Sequence, residues 1–542
     1  MKSDVFGKIE WSYPTARHPF YHLNIPITVD RGSGFRIGGI ALNETRAIDY
    51  VVYQNHRIQH DKRIRHSGVN VVVVRHDWKR GEKLNLRIRG KTKNGDAKSF
   101  EIRATAPERG GYWDARWPFY TSIVCSESEG LPRSNEPVHV TLAFYSDRIQ
   151  DPERELRIVS VNPATGEAKE VASQVYGVGR YDHDKPDTRY QPTTVCEAAF
   201  LADVPAYGSR VYLACYGNPD AKKPVYQSGL VTGGEGLGLD LENRHYGVKL
   251  SNTSGAIDEI HLRGEFPCVF EHHLETNGAL HWNPGVYAPP RPWLHASDWD
   301  PPERYEKVQG PVFTMTKRSG TLEHYPEIEV SITYLFYDRV PYVLVTSTLE
   351  IKKGITVKAL RNGEIVLNRD LVEEFAWREP DGSTGCMIIT DSPRHPAHAK
   401  VLPHDTPWAV LFNRMRRCGL GLVNVDSTNF RSDGGLCRTF RPYYYLQWGP
   451  WVYYARPLVY TFISSGPGRF IPVSAGNVYY EKMALVPLVY DDDKSSARYL
   501  DQVYERLRKP LSVKIVEDTD PRAPKEWMAP ILVEEFEEMV TD

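Results

Sequence analysis

Two adjoining stretches constrain this chain most. Residues 328–337 alternate apolar and polar side chains for most of their length, and the β-branched, apolar residues 341–349 return across Asp338-Arg339. Alternation sends successive side chains to opposite faces, so such a run is a strand with one face buried. Strand-like runs recur at residues 69–75, 84–90, 99–104, 137–144, 156–161 and 209–216. The 41 Gly and 39 Pro cut the chain into short elements, and 32 Tyr and 12 Trp suit half-buried pleated surfaces. Helical spacing is confined to residues 494–508, with Ala497, Leu500, Val503, Tyr504 and Leu507 on one side and Pro510 beyond, and to a short segment at 370–375. No repeat of 20–50 residues stands out, which disfavours a propeller or solenoid. The pattern predicts a mostly β, multi-domain protein whose longest β layer is a large two-sheet sandwich.

Length and charge narrow the class. At about 150 residues per domain, 542 residues imply three to four domains. Lys and Arg total 67 against 69 Asp and Glu, a formal net charge of −2. That balance argues against a nucleic-acid partner, which calls for a basic excess or stripe. No apolar run approaches the ~18 residues of a membrane span, so no membrane partner is expected. The first residues, Met1-Lys2-Ser3-Asp4-Val5-Phe6, show no apolar secretory core. Seven scattered cysteines (125, 196, 215, 268, 386, 418, 437) form no C-x-x-C pair. An odd, unpaired set predicts free thiols and a cytoplasmic location.

Turn chemistry and strand spacing divide the chain. Residues 1–115 read as an immunoglobulin- or fibronectin-like sandwich with an Asn94-Gly95 hairpin turn. Residues 116–230 read as a second, barrel-like β-domain. The glycine cluster at 228–236 reads as a linker, and it lacks the Lys-Ser/Thr and the strand–helix context of a phosphate loop. Residues 231–493 form the large antiparallel sandwich, and 494–542 a C-terminal helix and acidic tail.

Two groups of residues carry a family resemblance, over about residues 130–490. Glu136-Pro137-Val138, the run 156–161, Val171-Ala172-Ser173-Gln174-Val175, residues 204–210 and Tyr216-Gly217-Asn218-Pro219 together resemble the RIFT-barrel-type domain. That domain precedes the large sandwich in exo-rhamnogalacturonan-lyase-like and α-mannosidase-like carbohydrate enzymes. Residues 241–250, with the returning strand after Ser254-Gly255, are similar to the opening hairpin of the galactose-mutarotase-like supersandwich. The chain lacks the (α/α) barrel or catalytic α/β domain that accompanies this sandwich in polysaccharide lyases and mannosidases. The resemblance therefore implies a carbohydrate enzyme with its site on the β-domains themselves.

Chemistry-bearing residues crowd in three places of the 231–493 region: Glu271-His272-His273-Leu274-Glu275 with His281-Trp282; His324-Tyr325-Pro326-Glu327; and Arg441-Pro442-Tyr443-Tyr444-Tyr445 with Arg456 beyond. Adjacent His272 and His273 on a strand face opposite ways, so only one of them can enter a given cleft. Removing the C5 proton of a uronic acid needs a base, a cation or donor for the carboxylate and developing enolate, and an acid for the leaving oxygen. Histidine, tyrosine and arginine supply these roles, and the lyases that this architecture resembles use such sets. The expected catalytic residues are thus His272, His273, His324, Tyr325, Tyr443 and Arg441. Trp282, Trp299, Tyr287 and Arg456 are the expected substrate-binding residues.

The leading expectation is a lyase that cleaves uronic-acid-containing oligo- or polysaccharide by β-elimination, without a cofactor. A glycoside hydrolase is the first alternative, since Glu327 with Glu329, or Asp298 with Asp300, offer carboxylate pairs. A non-catalytic carbohydrate-binding protein is the second, because the tryptophans of the Pro-rich loop 284–302 serve packing as readily as sugar stacking. His272, Glu275 and His281 are candidate ligands for a divalent metal ion, although the H-E-x-x-H spacing is absent.

Overall fold

In this computed structural model the described residues are 10–12, 22–27, 34–43, 46–54, 57–65, 70–75, 82–105, 113–114, 116–117, 119–161, 168–184, 192–271, 284–389, 398–435, 444–448, 451–460 and 469–516. They are mostly β, and the chain separates into two compact units, 1–226 with 511–542, and 227–510.

In the first unit, alternation translates directly into burial. The strand Lys83–Thr92 turns Leu84, Leu86 and Ile88 inward and pairs with Ala97–Thr105 across a turn in which Gly95 takes φ 91°. Two five-stranded sheets enclose these residues with Leu23, Ile25, Phe35, Val72 and Val74. The same core continues through Trp117, Val159 and Leu213, so the apolar interior runs across the expected 115/116 boundary. A further five-stranded sheet and a three-stranded sheet pack around Ile123, Leu142, Phe200 and Tyr212. The strand Ser512–Val516 pairs with Phe119–Ser126, which returns the chain to this unit after the C-terminal helix.

The second unit holds a nine-stranded, a six-stranded, a five-stranded and a two-stranded sheet. The strand Tyr325–Tyr337 buries Tyr325, Ile328, Val330, Ile332, Tyr334 and Phe336 on one face. It pairs antiparallel with Val343–Ile351, in the expected hairpin. Asn243 ties the five-stranded sheet to that hairpin. Its amide donates to the carbonyls of Tyr337 (2.9 Å) and Val340 (3.0 Å), while its oxygen accepts from the backbone of His245 and Tyr246. One continuous core joins the nine- and six-stranded sheets through Ile332, Val345, Leu360, Ile365, Tyr454 and Leu485.

The helix spans Asp493–Arg508, capped by the Asp492 carboxylate, which accepts from the backbone of Lys494 and Ser495. It buries Ala497, Leu500 and Val503. Gly421 makes room for it, because a Cβ there would lie 2.6 Å from Leu500 Cδ2. Two local expectations are corrected. Residues 370–375 form a short 3-10 turn, Arg369–Leu371, followed by the strand Glu374–Arg378, because Phe375 and Trp377 are claimed by the core. The glycine cluster is no linker: Val231–Glu235 pairs with Gly238–Glu242, and Gly234 (φ 80°) and Gly236 (φ 57°) supply the turn geometry. The acidic tail and Cys437 lie outside the described residues. The other six cysteines are free thiols, five of them buried and Cys386 exposed.

Candidate functional site

The six-stranded sheet runs in the order Leu294–His295, Gly285–Tyr287, Ala359–Asn368, Trp451–Tyr460, Tyr444–Trp448, His398–Leu402. Val286, Leu360, Ile365, Leu367 and Tyr454 of this sheet belong to the core. Paired residues of neighbouring antiparallel strands share a face. Ile365 pairs with Tyr454 and Gly363 with Arg456, so Arg456 points with the core residues. Glu364 pairs with Ala455 and takes the opposite face.

A bulge then assembles a site there. Residues three apart on a regular strand face opposite ways. The register with Trp451–Tyr460 slips twice, skipping Leu458 between Leu360 and Arg361 and Asn362 between Arg361 and Gly363, so Asn362 is the extra residue of this strand. Arg361 and Glu364 are thereby brought to one side and form an ion pair. His295 joins them across the sheet. Gly285 is registered between His295 and Arg361, and a Cβ on Gly285 would lie 2.3 Å from His295 Cδ2. Only glycine lets the imidazole lie across that strand.

His295 Nε2 is 2.5 Å from Glu364 Oε1, and the three side chains are nearly without solvent contact: His295 1%, Arg361 3% and Glu364 0%. The indole of Trp293 donates to His295 Nε2 (2.7 Å) and stacks along its ring. The Arg361 guanidinium lies 4.6 Å from the centre of the Trp293 ring, and Tyr287 stacks on the same indole at 5.3 Å. Asp298 holds the backbone of His295, accepting its N–H at 2.6 Å. Burial pushes the His295 imidazole below the ordinary histidine value. Asp298 works against that shift and the Arg361 charge adds to it. The result is a neutral imidazole touching a carboxylate, with a guanidinium and two aromatic rings around them. Such a set can take up, hold and return a proton beside a ring that stacks on aromatics.

The expected site residues fall out as follows. Tyr287 is part of this cluster. His324 occupies the two-residue turn between Phe313–Leu322 and Tyr325–Tyr337, with φ 63° and its side chain 55% exposed. Its carbonyl accepts from Arg291 (3.0 Å). Tyr325 is buried, and its hydroxyl donates to the carbonyl of Pro292 (2.6 Å) and accepts the N–H of Ala288 (3.1 Å). Both bonds fasten the loop that leads to Trp293, so this phenol acts on the loop backbone. Trp299 is also buried, with its indole donating to the carbonyl of Thr321 (2.7 Å). Arg456 is fully buried on the core-facing side and ion-paired with Glu481 of the nine-stranded sheet, a brace between the sheets.

His272, His273, Glu275, His281, Trp282, Arg441 and Tyr443 lie outside the described residues. Among the described residues no group of three or more His, Cys, Asp or Glu is placed to hold a metal ion. Of the carboxylate pairs, Glu327 is held by Arg291 (3.0 Å), and Glu329 by Arg304 (2.5 Å) and Lys352 (3.1 Å).

Sequence reasoning missed His295, Arg361 and Glu364. A signal was present for the last two: Arg361-Asn362-Gly363-Glu364 interrupts the apolar run 359–367 with two charges and a glycine, which marks a strand bulge. His295 carries no such mark, because its carboxylate contact, Glu364, comes from a strand more than sixty residues away.

No family model and no curated protein matches this chain. Among solved structures it is similar to an α-mannosidase from Enterococcus faecalis V583, with a TM-score of 0.46 and 11% identity over 75% of this chain and 47% of that one. The chain thus spans about half the length of that enzyme. It is also similar to a galactose mutarotase related enzyme from Lactobacillus acidophilus, with a TM-score of 0.31 and 11% identity over 47% of this chain and 98% of that one. A third similar structure is the Slr1438 protein from Synechocystis, with a TM-score of 0.32 and 11% identity over 49% of this chain and all of that one.

Proposed function

We propose that this chain is a carbohydrate-active enzyme that cleaves uronate-containing oligo- or polysaccharides by β-elimination, with its proton-transfer centre at His295 and Glu364. The observation that carries the reading is the contact of a neutral, buried imidazole with a carboxylate on the face of the six-stranded sheet opposite Ile365 and Tyr454, beside Arg361 and the stacked rings of Trp293 and Tyr287. The imidazole takes the C5 proton of the uronate, and Glu364 stabilises the imidazolium that forms. The electron pair left at C5 forms the C4–C5 double bond as the C4–oxygen bond breaks. Trp293 and Tyr287 stack on the sugar. Arg441 and Tyr443 directly precede the strand Tyr444–Trp448 in the chain. They are proposed as the carboxylate clamp and the acid for the leaving oxygen.

The test is a screen of uronate oligosaccharides and polysaccharides, read by ultraviolet absorbance of the unsaturated product and by reducing ends. Both signals together, lost in Glu364→Gln, are expected. Reducing ends without absorbance would replace this reading with a hydrolase. Binding without either signal would replace it with a carbohydrate-binding protein.

A further inference from the structure

A second cleft of the 227–510 unit lies at the start of the helix Asp493–Arg508. It measures about 350 Å³ and is lined by Arg244, His245, Arg263, Ser496 and Tyr499 among others. That volume suits a small molecule. The backbone N–H groups of the first helical turn are already spoken for. Those of Lys494 and Ser495 go to the Asp492 carboxylate, and that of Ser496 goes to the Asp492 carbonyl. Whatever binds here must use side chains.

Three side chains are in place. Ser496 lines the cleft and is 4% exposed, and its hydroxyl, itself buried, has no hydrogen-bond partner among the described residues. A buried polar group left unpaired costs stability, so an unpaired hydroxyl just beneath the cleft wall, one rotamer turn from the opening, marks a place for a ligand acceptor. Arg244 is the second. Its Nε donates to His245 Nε2 at 2.9 Å, and the His245 ring is in turn bonded to the backbone of Arg339, which fixes the guanidinium. Arg244 has no carboxylate partner among the described residues, whereas the other charges of the cleft are matched: Arg263 pairs with Glu242, and Asp491 with Arg417. The third is Tyr499, three residues after Ser496 and therefore on the same side of the helix.

We propose that this cleft binds the oxyanion of a small molecule, a phosphate or carboxylate group, through the Arg244 guanidinium and the hydroxyls of Ser496 and Tyr499. The fork of Arg244 takes two oxygens, and the hydroxyls donate to the remaining ones. The site is independent of His295 and Glu364, so it holds whatever reaction that centre performs.

The test is calorimetric titration of the full chain with inorganic phosphate and, separately, with galacturonate, at constant ionic strength with chloride as the control. Saturable binding of phosphate alone identifies a phosphate site, and binding of galacturonate alone a carboxylate site. Arg244→Gln, a change at an exposed side chain, weakens that binding by about 10- to 100-fold, the loss of the charge-assisted pairing at the fork. Ser496→Ala weakens it as well while leaving the melting temperature unchanged or raised, because the hydroxyl it removes is unpaired in the free protein. His295→Asn leaves the binding intact, which separates this site from the proposed catalytic centre. The proposal is overturned if neither anion binds beyond the chloride control, or if Arg244→Gln and Ser496→Ala both bind as tightly as the wild type.

Discussion

Arg361 and Arg456 stand on adjacent paired strands of one sheet, both buried and both ion-paired with a glutamate, yet they occupy opposite faces. Arg456 reaches Glu481 on the nine-stranded sheet and braces the core. Arg361 pairs with Glu364 of its own strand, under Trp293 and beside His295. The difference lies in strand parity. Regular alternation sends Arg456 to the same face as Tyr454, and the bulge at Asn362 brings Arg361 and Glu364 together on the opposite one. A charge therefore reads as structural or chemical by the face it occupies and the elements it touches, and residue type alone does not separate the two.

The contrast can be broken most sharply by His295→Asn. Loss of general acid–base catalysis is expected to lower kcat by about 10²–10⁴-fold while the far-ultraviolet circular dichroism stays native. Turnover at the wild-type rate on a substrate of the screen would remove His295 from the chemistry. Arg456→Met should act the other way. It leaves the buried Glu481 without the Arg456 charge, which costs about 3–5 kcal/mol in urea unfolding. Replacing both partners with apolar residues should recover most of that loss, whereas a double variant as unstable as the single one would show that the pair braces nothing.

Tyr325→Phe removes the hydroxyl shared by Pro292 and Ala288 and should cost about 1–3 kcal/mol by the same measurement, since the buried N–H of Ala288 and the carbonyl of Pro292 lose a partner. An unchanged unfolding midpoint would leave the phenol free for another role.

Acid should expose two histidines, among the described residues, whose folded value is depressed, His295 and His245. Below the ordinary value of 6.5 the unfolded chain binds these protons before the folded chain does. Stability is then complete above that pH and falls as the pH drops, by at most about 1.4 kcal/mol per pH unit for each group. His295→Asn should flatten part of the slope between that value and the carboxylate range. A slope identical to the wild type would mean that the buried ring protonates freely. The smallest effect is expected at the helix cap, where Asp492→Ala should lower the thermal unfolding midpoint slightly, because the backbone of Lys494 and Ser495 loses its acceptor.

Much of the fold was legible in the sequence, because what makes a strand or a turn is local. Alternation in 84–90 and 328–337 places every second side chain inward whatever the partner strand is, and Asn94-Gly95 closes a hairpin from its own backbone preferences. The helix was legible to within a residue from the spacing of Ala497, Leu500 and Val503. Less of the candidate site was legible. Tyr287 was found among aromatics, while His295, Arg361 and Glu364 acquire their meaning only from each other. Tertiary structure decided that residues 374–378 extend into a sheet, that the 231–235 glycines pair instead of linking, and that the Tyr325 hydroxyl ties down a loop. It also decided which way each charge faces. Periodicity states that neighbours alternate, but a single inserted residue such as Asn362 reverses the parity of everything after it. Whether a strand accommodates that insertion is settled by the strands on either side.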